Sequence, residues 1–226
     1  MRSLRTFEAH TGILPPAQRR LWPDLQSTPE QFTLYGGTAL ALRLSHRKSV
    51  DFDFFAGALV DGSELLESVP YLRGAKVRRL EPNTLTCSVR RGTAVRVSFF
   101  GGLTLRRVDP PDTARGPMIK VASLRDIAAT KVSVIMKRAE VKDYIDIHAL
   151  IAQAGLSLAE MLGCAQAVYG SAFEPLVALK ALAYHDDPGL AALPKSVRVD
   201  LLRSIRDTDP NRLPRIKAVP LLKRKR

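Results

Sequence analysis

At 226 residues the chain can bury a sizeable core, as one large domain or two small ones, and its 46% hydrophobic and 25% charged residues are ordinary for a globular protein. No apolar stretch approaches the ~20 residues of a bilayer crossing, Glu8 and His10 interrupt the start where a secretory leader needs a hydrophobic run, and Cys87 and Cys164 make neither a disulfide framework nor a metal site, so a cytoplasmic protein without membrane contact is expected. The formal charge of +13 gathers in two places: residues 73–107, where Glu81 is the single acid among Arg73, Lys76, Arg78, Arg79, Arg90, Arg91, Arg96, Arg106 and Arg107, and the tail that ends Lys223-Arg224-Lys225-Arg226.

Such localised charge fits either a polyanionic partner or a merely solubilising surface, and the tail reads equally well as a loose, sticky extension. In chain order, Leu14–Leu21 is a predicted short helix opened by Pro15 and Pro16 and stopped by Pro23. A strand over Gln31–Tyr35, a helix over Thr38–Leu44 and a strand over Val50–Phe55 follow. Between the first two stand Gly36 and Gly37, a bare turn at a helix N-terminus, whose N–H groups and positive dipole end suit a phosphate. The plainer alternative is a tight turn with Thr38 as N-cap.

Strand side chains alternate, so Asp51 and Asp53 share a face while Val50, Phe52 and Phe54 take the other. Two carboxylates so placed can hold a hard divalent cation, or can be surface acids paired with Arg47 or Lys48. Ser63–Leu72 has helical spacing up to Pro70. Strands are predicted over Ala75–Leu80, Thr84–Arg90 and Ala94–Phe100, punctuated by Pro82-Asn83 and Arg91-Gly92. Residues 101–118 read as a loop or linker.

From Ser123 the texture is helical, with Ser123 as N-cap and Asp126 completing a near capping box. Lys131 lies among Ala128, Ala129, Val132 and Val134, where it either snorkels outward or aims its charge at a phosphate. Arg138, seven residues on, extends that stripe or only answers the helix dipole. The next helix, Val141–Ala154, stops at Gly155. On it Asp143 sits in the first turn, where the dipole favours a carboxylate, and Asp146 lies deeper among apolar neighbours and needs a partner; Lys142, four residues before, is one candidate. Helices over Ser157–Tyr169, Phe173–Tyr184 and Ser196–Arg206 complete the chain.

The run from Gly36 to Phe55, GGTALALRLSHRKSVDFDFF, resembles the nucleotidyltransferase superfamily and within it the AbiEii/AbiGii toxin branch. A second block agrees: Ala129-Thr-Lys131-Val, then Arg138, then Lys142-Asp143-Tyr-Ile-Asp146-Ile-His-Ala-Leu150. The resemblance implies an α/β (α+β) nucleotidyltransferase-like mixed sheet with flanking helices over residues 1–112, a helical half over 113–220 that contributes Lys131 and Asp146, and a basic tail over 221–226. It implies Mg2+ on Asp51 and Asp53, an NTP held by Gly36, Gly37 and Thr38 with Arg138, and Asp146 as a catalytic or lysine-orienting carboxylate.

The reaction so implied moves an NMP to an acceptor with release of pyrophosphate. An RNA acceptor, the tRNA 3′ end, would be contacted through Arg78, Arg79, Arg90 and Arg91, and an antitoxin protein would be the partner. One departure stands out. The superfamily pattern has a third carboxylate on a later strand, but no acid occurs between Glu81 and Asp109, and the in-phase positions are Arg96 and Ser98. Either Asp146 substitutes, or one metal is held by two carboxylates and the substrate's phosphates. Transfer to a small molecule or a protein, and a non-catalytic nucleic-acid-binding module, are the alternatives.

Overall fold

The computed structural model describes residues 5–221. Its strands are β1 (Thr6–Phe7), β2 (Thr33–Tyr35), β3 (Asp51–Phe55), β4 (Lys76–Glu81), β5 (Thr84–Arg91), β6 (Thr93–Phe100), β7 (Arg106–Arg107), β8 (Asp112–Ala114), β9 (Lys120–Val121) and β10 (Val219–Pro220). Its helices are α1 (Pro16–Leu21), α2 (Gly36–Leu44), α3 (Gly62–Ser68), α4 (Leu124–Val134), α5 (Val141–Ala152), α6 (Leu158–Tyr169), α7 (Pro175–Ala183) and α8 (Lys195–Arg206). The described residues divide into two compact units, one built from residues 5–105, 110–123 and 220–221, the other from 106–109 and 124–219. No helix among the described residues is long and apolar enough to cross a membrane.

The first unit is an eight-stranded mixed sheet in the order β1-β8-β9-β2-β3-β6-β5-β4; β7 and β10 lie outside it. Its centre is the parallel pair β3–β6, with β2 antiparallel on one side and the β6–β5–β4 meander on the other. Period-two alternation sets the faces. Phe52 and Phe54 of β3, Val97 and Phe99 of β6, and Leu85 and Cys87 of β5 are all buried. Rings interlock there: Phe54 stacks on Phe99 at 5.4 Å, and Phe32 meets Phe99 edge-on at 4.9 Å. Helix α1 carries Pro16 in its first turn, as expected of a residue with no N–H to lose, and packs on β5 and β6. On α2, Ala39, Leu40, Ala41 and Leu42 are fully buried.

Residues 101–118, read from sequence as a loop, contain β7 and β8, and β8 is a sheet strand paired parallel to β1 and antiparallel to β9. Two or three residues are too few to display alternation, so no local period marks these strands. Arg43 of α2 fastens this side, with an ion pair to Asp112 at 2.9 Å and its guanidinium 4.4 Å over the Phe7 ring.

In the second unit α4 packs on α6 and α5, and α5 on α8. Ser157 caps α6 by accepting the Glu160 N–H, and Tyr144 donates to the Ala181 carbonyl. The buried carboxylate of Asp126 accepts the N–H groups of Val108 and Asp109 at 2.6 and 3.2 Å, which holds this crossing segment to α4.

Candidate active site

Gly36 follows β2 directly and opens α2 with φ +76°. A Cβ there would stand 3.0 Å from Oδ2 of Asp53, so the missing side chain both permits the left-handed backbone and leaves room for that carboxylate. A Cβ on Gly37 would meet the Arg47 guanidinium at 2.7 Å and the Ser49 hydroxyl at 2.9 Å. The turn is thus closed in by an acid, a guanidinium and a hydroxyl. Sequence reading missed Arg47 and Ser49 as its neighbours, because they come from the loop after α2, where no periodicity points inward.

Thr38 is not the N-cap. That position is Tyr35, which makes no side-chain cap, while the buried Thr38 hydroxyl donates to the main-chain carbonyl of Asp51. Its proton therefore ties α2 to β3 instead of reaching outward. As the alternation of β3 requires, Asp51 and Asp53 share one face and remain partly accessible, opposite Phe52 and Phe54. Asp51 Oδ2 accepts from the Arg96 guanidinium, a partner that sequence reading did not name.

Strand register explains that pair. Asp51 lies beside Arg96 and Asp53 beside Ser98, so Arg96 and Ser98 occupy the flanking positions in phase with the acids. The donor set, two partly accessible carboxylates on one strand face, fits a single hard cation. No cluster of three or more His, Cys, Asp or Glu side chains that could hold a metal occurs among the described residues.

In the second unit, Lys131, Asp143 and Asp146 converge. Lys131 Nζ lies 2.9 Å from Asp143 Oδ1 and 2.6 Å from Asp146 Oδ2, and both carboxylates are 0% exposed. Arg138 Nε donates to Asp143 Oδ2 at 2.9 Å, and the same guanidinium lies 3.3 Å from Glu140, so Asp143 is shared between two cations. Lys131 therefore does not snorkel; it partners both carboxylates, and Asp143 is far more than a dipole answer.

Two further readings change. Helix α4 ends at Val134, so Arg138 is not on the Lys131 face of that helix but in the turn beyond it, where its N–H bonds the Val134 carbonyl. Lys142 pairs with Glu140 at 2.6 Å, not with Asp146.

Of the basic residues on β4 and β5, Arg78 donates to the Ser88 hydroxyl and Arg79 pairs with Glu81. Arg90 is exposed. Arg91 bonds Asp24 through Nε and Nη2, at 2.9 and 2.7 Å, so it fastens the segment after α1 to β5.

Comparison with known proteins agrees with this layout. A protein of Aquifex aeolicus (strain VF5), aq_aa25, is 28% identical over 158 residues, 69% of this chain and 74% of its own. The solved structure of MenT4, a nucleotidyltransferase toxin of Mycobacterium tuberculosis H37Rv, shares the fold with a TM-score of 0.61 at 16% identity, over 86% of this chain and 83% of that one. The family model for the nucleotidyl transferase AbiEii toxin of type IV toxin–antitoxin systems matches residues 20–219. A match of that extent assigns the chain: it belongs to the AbiEii nucleotidyltransferase toxin family and is a nucleotidyltransferase.

Proposed function

We propose that the protein is a Mg2+-dependent toxin that transfers an NMP from an NTP to RNA, at the 3′ end of a tRNA, and that a partner antitoxin protein restrains it. The observation that carries the transfer is the approach of Asp53, which shares a strand face with Asp51, to the side-chain-free Gly36 turn. The N–H groups at the start of α2 would bind the triphosphate, Asp51 and Asp53 would hold the metal, and Thr38 would fix α2 against β3. A bound Mg2+ would offset the charge of the triphosphate and of the departing pyrophosphate.

In the transfer, an acceptor hydroxyl oxygen bonds to the α-phosphorus, the bond to the bridging oxygen breaks, and the hydroxyl proton leaves for a base or water. Positioning and charge neutralisation dominate such chemistry. Lys131 and Asp146 are proposed as catalytic residues on the resemblance of their block, with Asp143 and Arg138 holding Lys131 in place. The RNA reading rests on the basic residues of β4 and β5 and the basic tail, which lies outside the described residues from Leu222 on.

The test incubates the purified protein and Mg2+ with each labelled NTP in turn, with and without total tRNA. Label entering tRNA is expected. Label entering only the protein or a small acceptor would retain the nucleotidyltransferase and overturn the RNA acceptor.

A further inference from the structure

Arg96 stands beside Asp51 across the parallel β3–β6 ladder and bonds its carboxylate, while Ser98 stands beside Asp53. Continuing across the sheet, Ser88 and Thr86 of β5 face Arg96 and Ser98 in register. Arg78 of β4 reaches back to the Ser88 hydroxyl. The side of the site formed by β4, β5 and β6 is therefore a row of guanidinium and hydroxyl groups.

No acid occurs between Glu81 and Asp109, so no carboxylate from β5 or β6 can join Asp51 and Asp53. A guanidinium cannot ligate a cation; it is a permanent positive charge with fixed donors suited to carboxylate and phosphate. Two dications held close together need several shared anionic ligands, whereas one Mg2+ is commonly held by one or two carboxylates together with substrate phosphates.

Resting on the nucleotidyltransferase reading above, we propose that this site takes one divalent cation and that the Arg96 guanidinium supplies the positive charge of a second. With the site empty, Arg96 neutralises and orients Asp51. With metal and nucleotide present, Asp51 turns to the cation and Arg96 donates to a phosphate oxygen of the triphosphate. Arg96 is then a phosphate ligand that also guards the metal site. A side chain 57% exposed has the freedom for that exchange.

The test counts Mn2+ by electron paramagnetic resonance and calorimetry, and the binding of a non-hydrolysable NTP analogue. One Mn2+ per chain is expected in the wild-type complex saturated with the analogue. In the absence of nucleotide, Arg96→Gln is expected to bind Mn2+ about fivefold more tightly, the scale of an exposed ion pair. The same variant should bind metal-free analogue more weakly, with an unchanged melting temperature because Arg96 is exposed.

Two Mn2+ in the wild-type complex, both lost in Asp51→Asn/Asp53→Asn, would overturn the proposal and leave the carboxylate pair as the metal site. So would unchanged Mn2+ and analogue affinities in folded Arg96→Gln. Mn2+ retained by the Asp51→Asn/Asp53→Asn protein would instead overturn the reading of the carboxylate pair itself, and the proposal with it.

Discussion

The four charges around Lys131 show how burial changes what a substitution tests. With Asp143 and Asp146 fully buried, Lys131→Ala removes the ammonium that both carboxylates share, and breaking a buried pair in this way costs about 3–5 kcal/mol. Lys131→Ala should therefore lower the melting temperature as well as abolish transfer, whereas Lys142→Ala, which removes an exposed pair with Glu140, should change stability by no more than ~0.5 kcal/mol. Equal, small shifts in thermal melts of the two variants would contradict the buried pairing. Asp51→Ala and Asp53→Ala belong to the opposite class. Their side chains leave no cavity in the core, so transfer should disappear while the melting temperature holds. More than a few per cent of wild-type turnover in both would remove the metal assignment. The cysteines are simpler. Both are 0% exposed, and burial raises the Cys87 thiol and pushes Cys164 up to about 11. Neither should react with a disulfide reagent at pH 8 until denaturant is added, and prompt labelling of the native protein would refute their burial.

At the scale of elements, the junction of β2 and α2 is the most demanding piece of backbone. Gly36→Ala imposes a Cβ on a left-handed residue and presses it to 3.0 Å from the Asp53 carboxylate. A cost of about 1 kcal/mol is expected from the backbone alone, with a larger loss of nucleotide affinity because Asp53 must shift. Gly155→Ala is the natural control, since φ is +70° there too but a Cβ would meet nothing within 4 Å. Both variants should lose comparable stability in denaturant titrations, and only Gly36→Ala should lose binding of an NTP analogue. Similar binding by both would mean that the Gly36 turn is a structural device and no more. Most of these elements were legible beforehand. The alternation of β3 and β5 and the proline at the start of α1 are local signals, and each element formed where its signal stood. Strands β8 and β9 were not legible, because segments of three and two residues carry no period and exist only through their partners.

For the molecule as a whole, charge is the readable property. Arg78, Arg79 and Arg90 lie on or beside the outer strands of the sheet, and if RNA is the acceptor its affinity should fall steeply with salt as counterions are released. Arg90→Glu should weaken binding and flatten that slope in filter or anisotropy assays, without altering NTP-analogue binding. Deletion of residues 221–226 should act in the same direction but less. Arg91→Glu is a poor probe, because it breaks the bond to Asp24 and would unfasten the segment after α1. A salt-insensitive reaction would turn the acceptor toward a small molecule and leave the chemistry of β3 untouched.

The sequence by itself determined the glycine turn, the shared face of Asp51 and Asp53, the run of strands and helices, and the family, since each depends on residue type and on spacings of a few positions. Tertiary structure alone decided the partners. Arg96 reaches Asp51 only because β3 and β6 pair parallel in one register, Lys131 meets Asp143 and Asp146 only because α4 and α5 pack, and Arg91 finds Asp24 only because the segment after α1 ends beside β5. A charge in a sequence states what it needs, an opposite charge when desolvated. Which of many candidates supplies it depends on distances that the folded chain creates.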